Sequence, residues 1–426
     1  MYQPGSANAP SSTLVVIHFL TGGVVFWVAA LLALMFPESF TVHYFNPMLL
    51  SITHLLVLGW MTMIIYGALY QLIPVILQVK LYSETLGYIA YVLLLSGTVL
   101  LAYAFATFRL GMVMYVAANA LGAGVLSFGI NLFLTAQRTK NESIEKDFIL
   151  TAVVWLMFTV AAGIALAINL AHPYLSVPHL ELLKLHAHAG LAGWFLQLII
   201  GVGSKLLPMF MVSHGLKQME LKPAYYFINA GLILLICGLF TDVNWLQMAG
   251  GLGIATGVVL FITFLIRAYR HRVRRVLDAG MKQSVAALLV LPAAVLPAAW
   301  FLSESLGWPR VGESVAIAYG VMVLAGFISG LILGQTFKTL PFIVWLRTYK
   351  SKVGKEKIPL PRELYSERLL QWQFGIYSLA IPILLIGVLS AQTSVISLGA
   401  ALTLTTATIY NINVLKIILH KPVNNG

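Results

Sequence analysis

The chain reads as an all-α polytopic membrane protein of twelve transmembrane helices in a quasi-threefold internal repeat, four helices per repeat. Three observations carry that reading. The 426 residues are 60% hydrophobic and 9% charged, with a mean hydropathy of +0.90, a composition outside the soluble range. Apolar runs long enough to cross a bilayer recur along the whole length. One helix pattern also appears three times. Read from His54, its landmarks are Gly59, Trp60, Ile65, Gly67 and Pro74. Read from His188 they are Gly193, Trp194, Ile199, Gly201 and Pro208, and from Val321 they are Gly326, Phe327, Ile332, Gly334 and Pro341. The copies start 134 and 133 residues apart. A shared glycine is common between membrane helices; this joint match is not.

Taken in order, the segment from Met1 to Ser12 is short and polar. It lacks a basic region or a small-residue cleavage site, so the first apolar run reads as a retained span and not a signal peptide. The spans fall at 12–36, 46–78, 84–107, 110–136, 148–172, 181–212, 222–243, 245–270, 282–303, 312–345, 368–390 and 393–419. They form one transmembrane domain over 1–426, with repeats near 12–136, 148–270 and 282–420. The patterned helix is second in each group: helices 2, 6 and 10.

Lys and Arg give the orientation. Loops after even-numbered helices hold Lys80, then Arg138, Lys140 and Lys146, then Lys217 and Lys222, then the run from Arg270 to Arg275, then the 347–368 segment. The opposite side holds Arg109, Lys184 and Arg310. Positive-inside bias places both termini in the cytoplasm of a bacterial-type inner membrane. It puts His54, His186 and His188 in the outer half. The same bias accounts for the net charge of +12, so the bilayer is the expected partner and nucleic acid is not. The longest loop, 346–367, is basic and Pro-containing and reads as a cytoplasmic connection.

Within the repeat, the paired glycines permit close helix approach where lipid gives no hydrophobic drive to associate. The proline lies near the inner end, where the interface can satisfy a broken hydrogen bond. Lys205 and Lys338 share a column with Gln71. Snorkelling to the inner surface is preferred for them over a buried proton-path role.

Packing explains the glycines but not the histidines. Intramembrane histidine is costly and marks a functional site by default. His186 and His188 point about 200° apart on a helix, so they cannot share one small site without distortion. Glu181 lies on the face of His188 and His179 on that of His186; a carboxylate there would orient a ring. Threefold packing brings His54 and His188 to one depth. That suits two axial imidazoles on a haem, or two ligands of a copper ion; polar contacts between helices are the alternative. His186, His179 and His43 are the candidate metal ligands, although the last two, at the outer boundary, read first as plain interfacial residues. Glu181, Trp60 and Trp194 are read as supporting neighbours. His18 lies too far toward the cytoplasmic side to join His54. The single cysteine, Cys237, excludes a disulfide framework, a four-thiolate metal site and a Cys-x-x-Cys-His haem attachment.

The stretch Thr53-His-Leu-Leu-Val-Leu-Gly-Trp60, running on to Tyr66-Gly-Ala-Leu-Tyr-Gln-Leu-Ile-Pro74, resembles helix 2 of the catalytic subunit of haem-copper oxidases and nitric-oxide reductases (subunit I of cytochrome c oxidase and its relatives). Twelve helices, threefold symmetry and inside termini are similar to that superfamily as well. The resemblance implies that His54 binds a low-spin haem from the outer half of the membrane. It also marks departures. The superfamily's His-x-His pair lies on helix 10, where this chain has Tyr319 and Val321, and its copper site draws a pair from the start of helix 7, where 221–240 holds no histidine. The pair stands instead on helix 6. The expectation is a divergent, oxidoreductase-like member that binds haem b, copper or both through His54, His188 and His186. Its role would be redox or nitric-oxide-related electron transfer, with electrons from a separate cytochrome or a quinol, and without the full histidine set for proton-pumping oxygen reduction. A haem or copper carrier or sensor, with His43 and His179 on an access route, and a non-catalytic scaffold are the alternatives.

Overall fold

Twelve helices long and apolar enough to cross a membrane make up the computed structural model, which describes residues 10–140, 142–303 and 312–422. They are α1 Ser12–Met35, α2 Pro47–Leu77, α3 Glu84–Ala106, α4 Met112–Ala136, α5 Ile144–Ala171, α6 His179–Met211, α7 Leu221–Thr241 and α8 Asn244–Arg270. The last four are α9 Ala279–Ser303, α10 Glu313–Lys352, α11 Glu367–Leu389 and α12 Thr393–Ile418. Among the described residues there is no strand, only an isolated bridge between Ser213 and Arg272. Arg310, counted in the charge argument, and residues 1–9 lie outside the described residues.

Helix ends agree with the sequence expectation to within four residues, save one. α5 starts early because the Ser143 hydroxyl caps the amide of Lys146 and Glu145 and Asp147 occupy the first turn, where acidic side chains favour a helix start. α2 and α6 end at the same repeat offset on left-handed residues, Gln78 (φ 57°) and Val212 (φ 55°). α10 runs past that offset to Lys352, so the first part of the expected 346–367 loop is helical. The Trp345 indole donates to the Pro359 carbonyl (2.6 Å) and ties this extension to the returning chain.

The repeat is visible in the packing. Third and fourth helices pair most extensively in each group, α3 with α4, α7 with α8 and α11 with α12. α4 then packs on α5, α8 on α9, and α12 back on α1. Trp27 Nε1 donates to Thr408 Oγ1 (3.0 Å) and Asn411 Nδ2 to the Gly23 carbonyl (2.8 Å), which closes the ring. The patterned glycines seat the first helix of their own repeat. A Cβ on Gly59 or Gly67 would strike Val25 or His18 of α1, and one on Gly193 or Gly201 would strike Trp155 or Phe148 of α5. On Gly326 or Gly334 it would strike Val290 or Gly280 of α9.

α2, α6 and α10 fill the centre. Each changes to a π-helical segment at the same repeat offset: Leu55–Thr62, Ala189–Leu196 and Val321–Ser329. π turns free carbonyls that apolar surroundings must satisfy. Thr62 Oγ1 donates to the Val57 carbonyl (2.7 Å) and Tyr377 Oη to the Ala325 carbonyl (2.6 Å). The same segments meet across the centre. Trp194 Nε1 donates to Thr62 Oγ1 (3.4 Å), and Trp60 Nε1 to Ser329 Oγ (3.0 Å). In each case the sixth offset of one repeat reaches the eighth offset of another. The remaining pair of columns holds Phe327 and Leu196, both buried and both apolar.

Where α10 passes the start of α9, Lys338 forms an ion pair with Asp278, which Arg274 also approaches (3.2 Å). Lys338 is therefore paired and not free to snorkel, whereas Lys205 of the same column is exposed. Burial of Asp278 works against its ionisation, but Lys338 and Arg274 outweigh it and hold the carboxyl below its ordinary range.

Ser329→Ala should leave the buried Trp60 N–H without a partner and cost about 1–3 kcal/mol, read as a fall in melting temperature of the detergent-purified protein. The control Ser378→Ala, at an exposed site, should change little. Asp278→Asn should cost roughly 2 kcal/mol at neutral pH. Because the native pKa is depressed, the carboxylate's stabilisation is present above the unfolded value and lost as pH falls through the native one. The gap between wild type and Asp278→Asn should therefore close below about pH 4. A gap independent of pH would show that the loss does not come from the carboxylate's charge.

Candidate functional site

The N-terminal halves of α2, α6 and α10 (outer, by the charge bias) are built differently from the inner halves. From Gly59, Ala192 and Gly326 inward the chain is almost continuously buried, whereas His54, His186, His188, Leu56, Leu191, Val321 and Met322 all retain exposed surface. The change falls at the π segments. The three histidines lie in these less completely buried halves.

Local sequence sets each ring. Asn46 caps α2 by accepting from the amides of Met48 and Leu49, with Pro47 in the first turn, and His54 follows two turns later as the last residue before the π segment. Its Nδ1 lies 2.7 Å from the Leu50 carbonyl. A carbonyl only accepts, so Nδ1 carries the proton and Nε2 presents its lone pair. His186 Nδ1 is held the same way by the Thr159 carbonyl of α5 (2.9 Å). His188 Nδ1 is held by the Lys184 carbonyl one turn back (2.8 Å). All three imidazoles are thereby fixed in the tautomer that ligates through Nε2.

The ring facing His54 is that of His186: the centroids lie 6.5 Å apart and the planes 23° from parallel. Phe105 covers His54 from the side at 4.9 Å. Behind His186 stands Gly163 of α5, where a Cβ would sit 3.0 Å from Cε1. The expected opposition of His54 and His188 is not what the helices produce. The helices instead set the His54 position of the first repeat against the position two residues before its equivalent in the second, which is His186. His188, two residues on and pointing away from His186, is held by its own helix through the Lys184 carbonyl.

The supporting neighbours are also redistributed. Glu181 pairs with Lys184 (2.8 Å) and not with His188, because a lysine ammonium one turn away is the stronger partner and His188 Nδ1 is already bound to a carbonyl. Trp60 and Trp194 point inward into the contacts between repeats, with Phe26 stacked on Trp60 at 4.7 Å. His43 and His179 stand at the outer rim with separate partners. His43 Nε2 lies 3.5 Å from Glu313, and His179 contacts Asn169 (3.3 Å) and the edge of Phe45 (5.2 Å). Among the described residues no group of three or more His, Cys, Asp or Glu could hold a metal ion. The three-histidine set of His43, His179 and His186 is thus not assembled; what is assembled is a pair. Sequence reasoning missed Gly163, Thr159 and Phe105, which lie on α5 and α3 and carry no signal of their own.

No family model matches this chain, and no curated protein does. Among solved structures it is similar to a heme-copper terminal oxidase dimer determined by cryo-EM. That match has a TM-score of 0.60 at 11% identity and covers 96% of this chain and 85% of the other. At that identity the likeness shows a shared fold.

Proposed function

We propose that His54 and His186 would hold a b-type haem between α2 and α6, and that the protein is an oxidase-subunit-I-like electron carrier of the membrane. The carrying observation is the 6.5 Å separation of two nearly parallel imidazoles whose Nδ1 atoms are both tied to carbonyls. The donor set fits, and haem would supply a reversible one-electron couple between two neutral ligands.

The chain's own residues have the remaining tasks. Leu50 and Thr159 hold the rings and their tautomers, Phe105 walls the pair from one side, and Gly163 leaves room for His186. A bis-histidine site has no open coordination position, which favours electron transfer over gas binding. His188 lies outside the pair and would serve as a polar wall of the pocket. By the positive-inside bias the site belongs to the outer half of a bacterial-type inner membrane, with electrons arriving from a quinol or a separate cytochrome.

The test is a reduced-minus-oxidised absorption spectrum of the purified protein and three alanine variants. His54→Ala and His186→Ala should each abolish a b-type band, while His188→Ala should keep it. No band in wild type, or a band that survives His54→Ala, rejects the assignment. A finer check uses α5. Gly163→Ala should tilt His186 and lower haem occupancy, whereas Gly320→Ala, where a Cβ meets nothing within 4 Å, should leave the spectrum unchanged.

A further inference from the structure

In the inner half of the first repeat, three polar side-chain atoms are sealed without partners: His18 Nε2, Tyr66 Oη and Tyr70 Oη. All three residues are fully buried, at 0% exposure. They belong to one aromatic cluster. The His18 ring stands 5.5 Å from that of Tyr70 and 5.0 Å from that of Tyr91, and Tyr66 and Tyr70 sit one turn apart at 6.5 Å. The fold does not require polarity here. The counterpart of His18 in the second repeat is Phe148, seated on Gly201 as His18 is seated on Gly67 and edge-on to Tyr225 at 5.2 Å. The columns of Tyr66 and Tyr70 hold Ile200 and Ser204 in the second repeat, with Ser204 bonded to the Gly201 carbonyl (3.0 Å), and Leu333 and Phe337 in the third. The neighbouring hydroxyl pair repeats with its partners satisfied, Thr21 with Tyr91 (2.7 Å) and Thr151 with Tyr225 (2.8 Å). At these columns the orphaned groups belong to the first repeat; the third repeat has its own unpaired atoms elsewhere, on Gln283, Gln335 and Gln373.

Their chemistry specifies a ligand. His18 Nδ1 donates to the Leu14 carbonyl (2.6 Å), so Nε2 is a lone-pair acceptor that needs a donor. The two phenol hydroxyls are donors that need an acceptor. Buried polar groups of this kind are completed by ordered water, which offers two donors and two acceptors. An anion would leave His18 Nε2 unanswered, and a cation would leave the hydroxyl protons unanswered. A recess lies near this level of α1 and α2. This recess, of about 200 Å³ on the inner face, is lined by Pro10, Ser12, Gln71, Ile343, Arg347 and Lys350; Gln71 adjoins Tyr70 in the chain, and Ser12 lies six residues below His18 on α1, about 9 Å along the axis. We infer that His18, Tyr66 and Tyr70 form an internal water-binding site within the membrane-spanning region, supplied from this inner-face recess.

The experiment is radiolytic hydroxyl-radical footprinting of the purified full-length protein in ¹⁸O water, which marks side chains beside bound water whatever their exposure. It needs no cofactor and is independent of the haem assignment. Tyr66 and Tyr70 should take up ¹⁸O several-fold faster than Tyr410, which is equally buried with its hydroxyl bonded to Thr336, and faster than Phe261. His18→Phe copies the second repeat and so is compatible with the fold; it should bring both tyrosines down to the Tyr410 rate without lowering the melting temperature. Labelling of Tyr66 and Tyr70 no faster than Tyr410 in wild type overturns the site. Fast labelling that His18→Phe leaves unchanged overturns the assignment of His18 to it.

Discussion

The contact on which the arrangement depends is made by three helices crossing at one level around a common centre. Lipid offers no hydrophobic drive between helices, so packing and hydrogen bonds must hold them. Here Trp194 reaches Thr62 and Trp60 reaches Ser329. Each is a large aromatic that fills the centre and places one donor on a neighbouring hydroxyl. The contact runs from one offset to a different offset, which is the signature of a cyclic, head-to-tail relation. Phe327 and Leu196 complete the set as an apolar pair, which satisfies the same spacing without leaving a buried polar group unpaired.

The π segments follow from the same constraint. An α-helix that places a tryptophan at the centre and a small residue against its own first helix must adjust its winding between the two, and a wider turn does so. The adjustment frees carbonyls, and hydroxyls of Thr62 and Tyr377 take up two of them. Outward of this level the helices are no longer locked together. There His54, His186 and His188 retain surface, as do Leu56, Leu191, Val321 and Met322 at the same level.

Much of this was legible in the sequence, and what was not has identifiable causes. Apolar length and turn residues located all twelve spans. The Gly-Ile-Gly-Pro columns revealed the repeat, since close approach to a helix backbone leaves few residue choices. The winding change was not legible, because π and α turns draw on the same apolar residues and differ in hydrogen bonding alone. The repeat also misdirected the pairing of histidines. Equal offsets give equal depth, but a ring of three turns each helix by a third of a circle, so His54 and His188 face in different directions and His186 meets His54. Glu181 illustrates a second blind spot: helical spacing put it on the face of His188, and the nearer charge of Lys184 captured it.

Symmetry in the scaffold and asymmetry in the chemistry are separate properties of this chain. The glycines, prolines and central aromatics recur because every repeat solves one packing problem. The polar residues recur only in part: the position of His54 holds His188 in the second repeat but Val321 in the third, that of His186 holds Ile52 and Tyr319, and His18 faces Gly67 where Phe148 faces Gly201. A buried imidazole is expensive in each of these places, so its presence in one repeat and replacement by an apolar side chain in another cannot be a requirement of folding. The two polar sites differ accordingly. In the outer half, His54 and His186 come from different repeats, so their separation is set by the central contact. In the inner half, His18, Tyr66 and Tyr70 lie within one repeat, so their geometry is set by the glycine that seats α1 on α2. A change at the centre should therefore move the first site and spare the second, while a change at Gly67 should do the reverse.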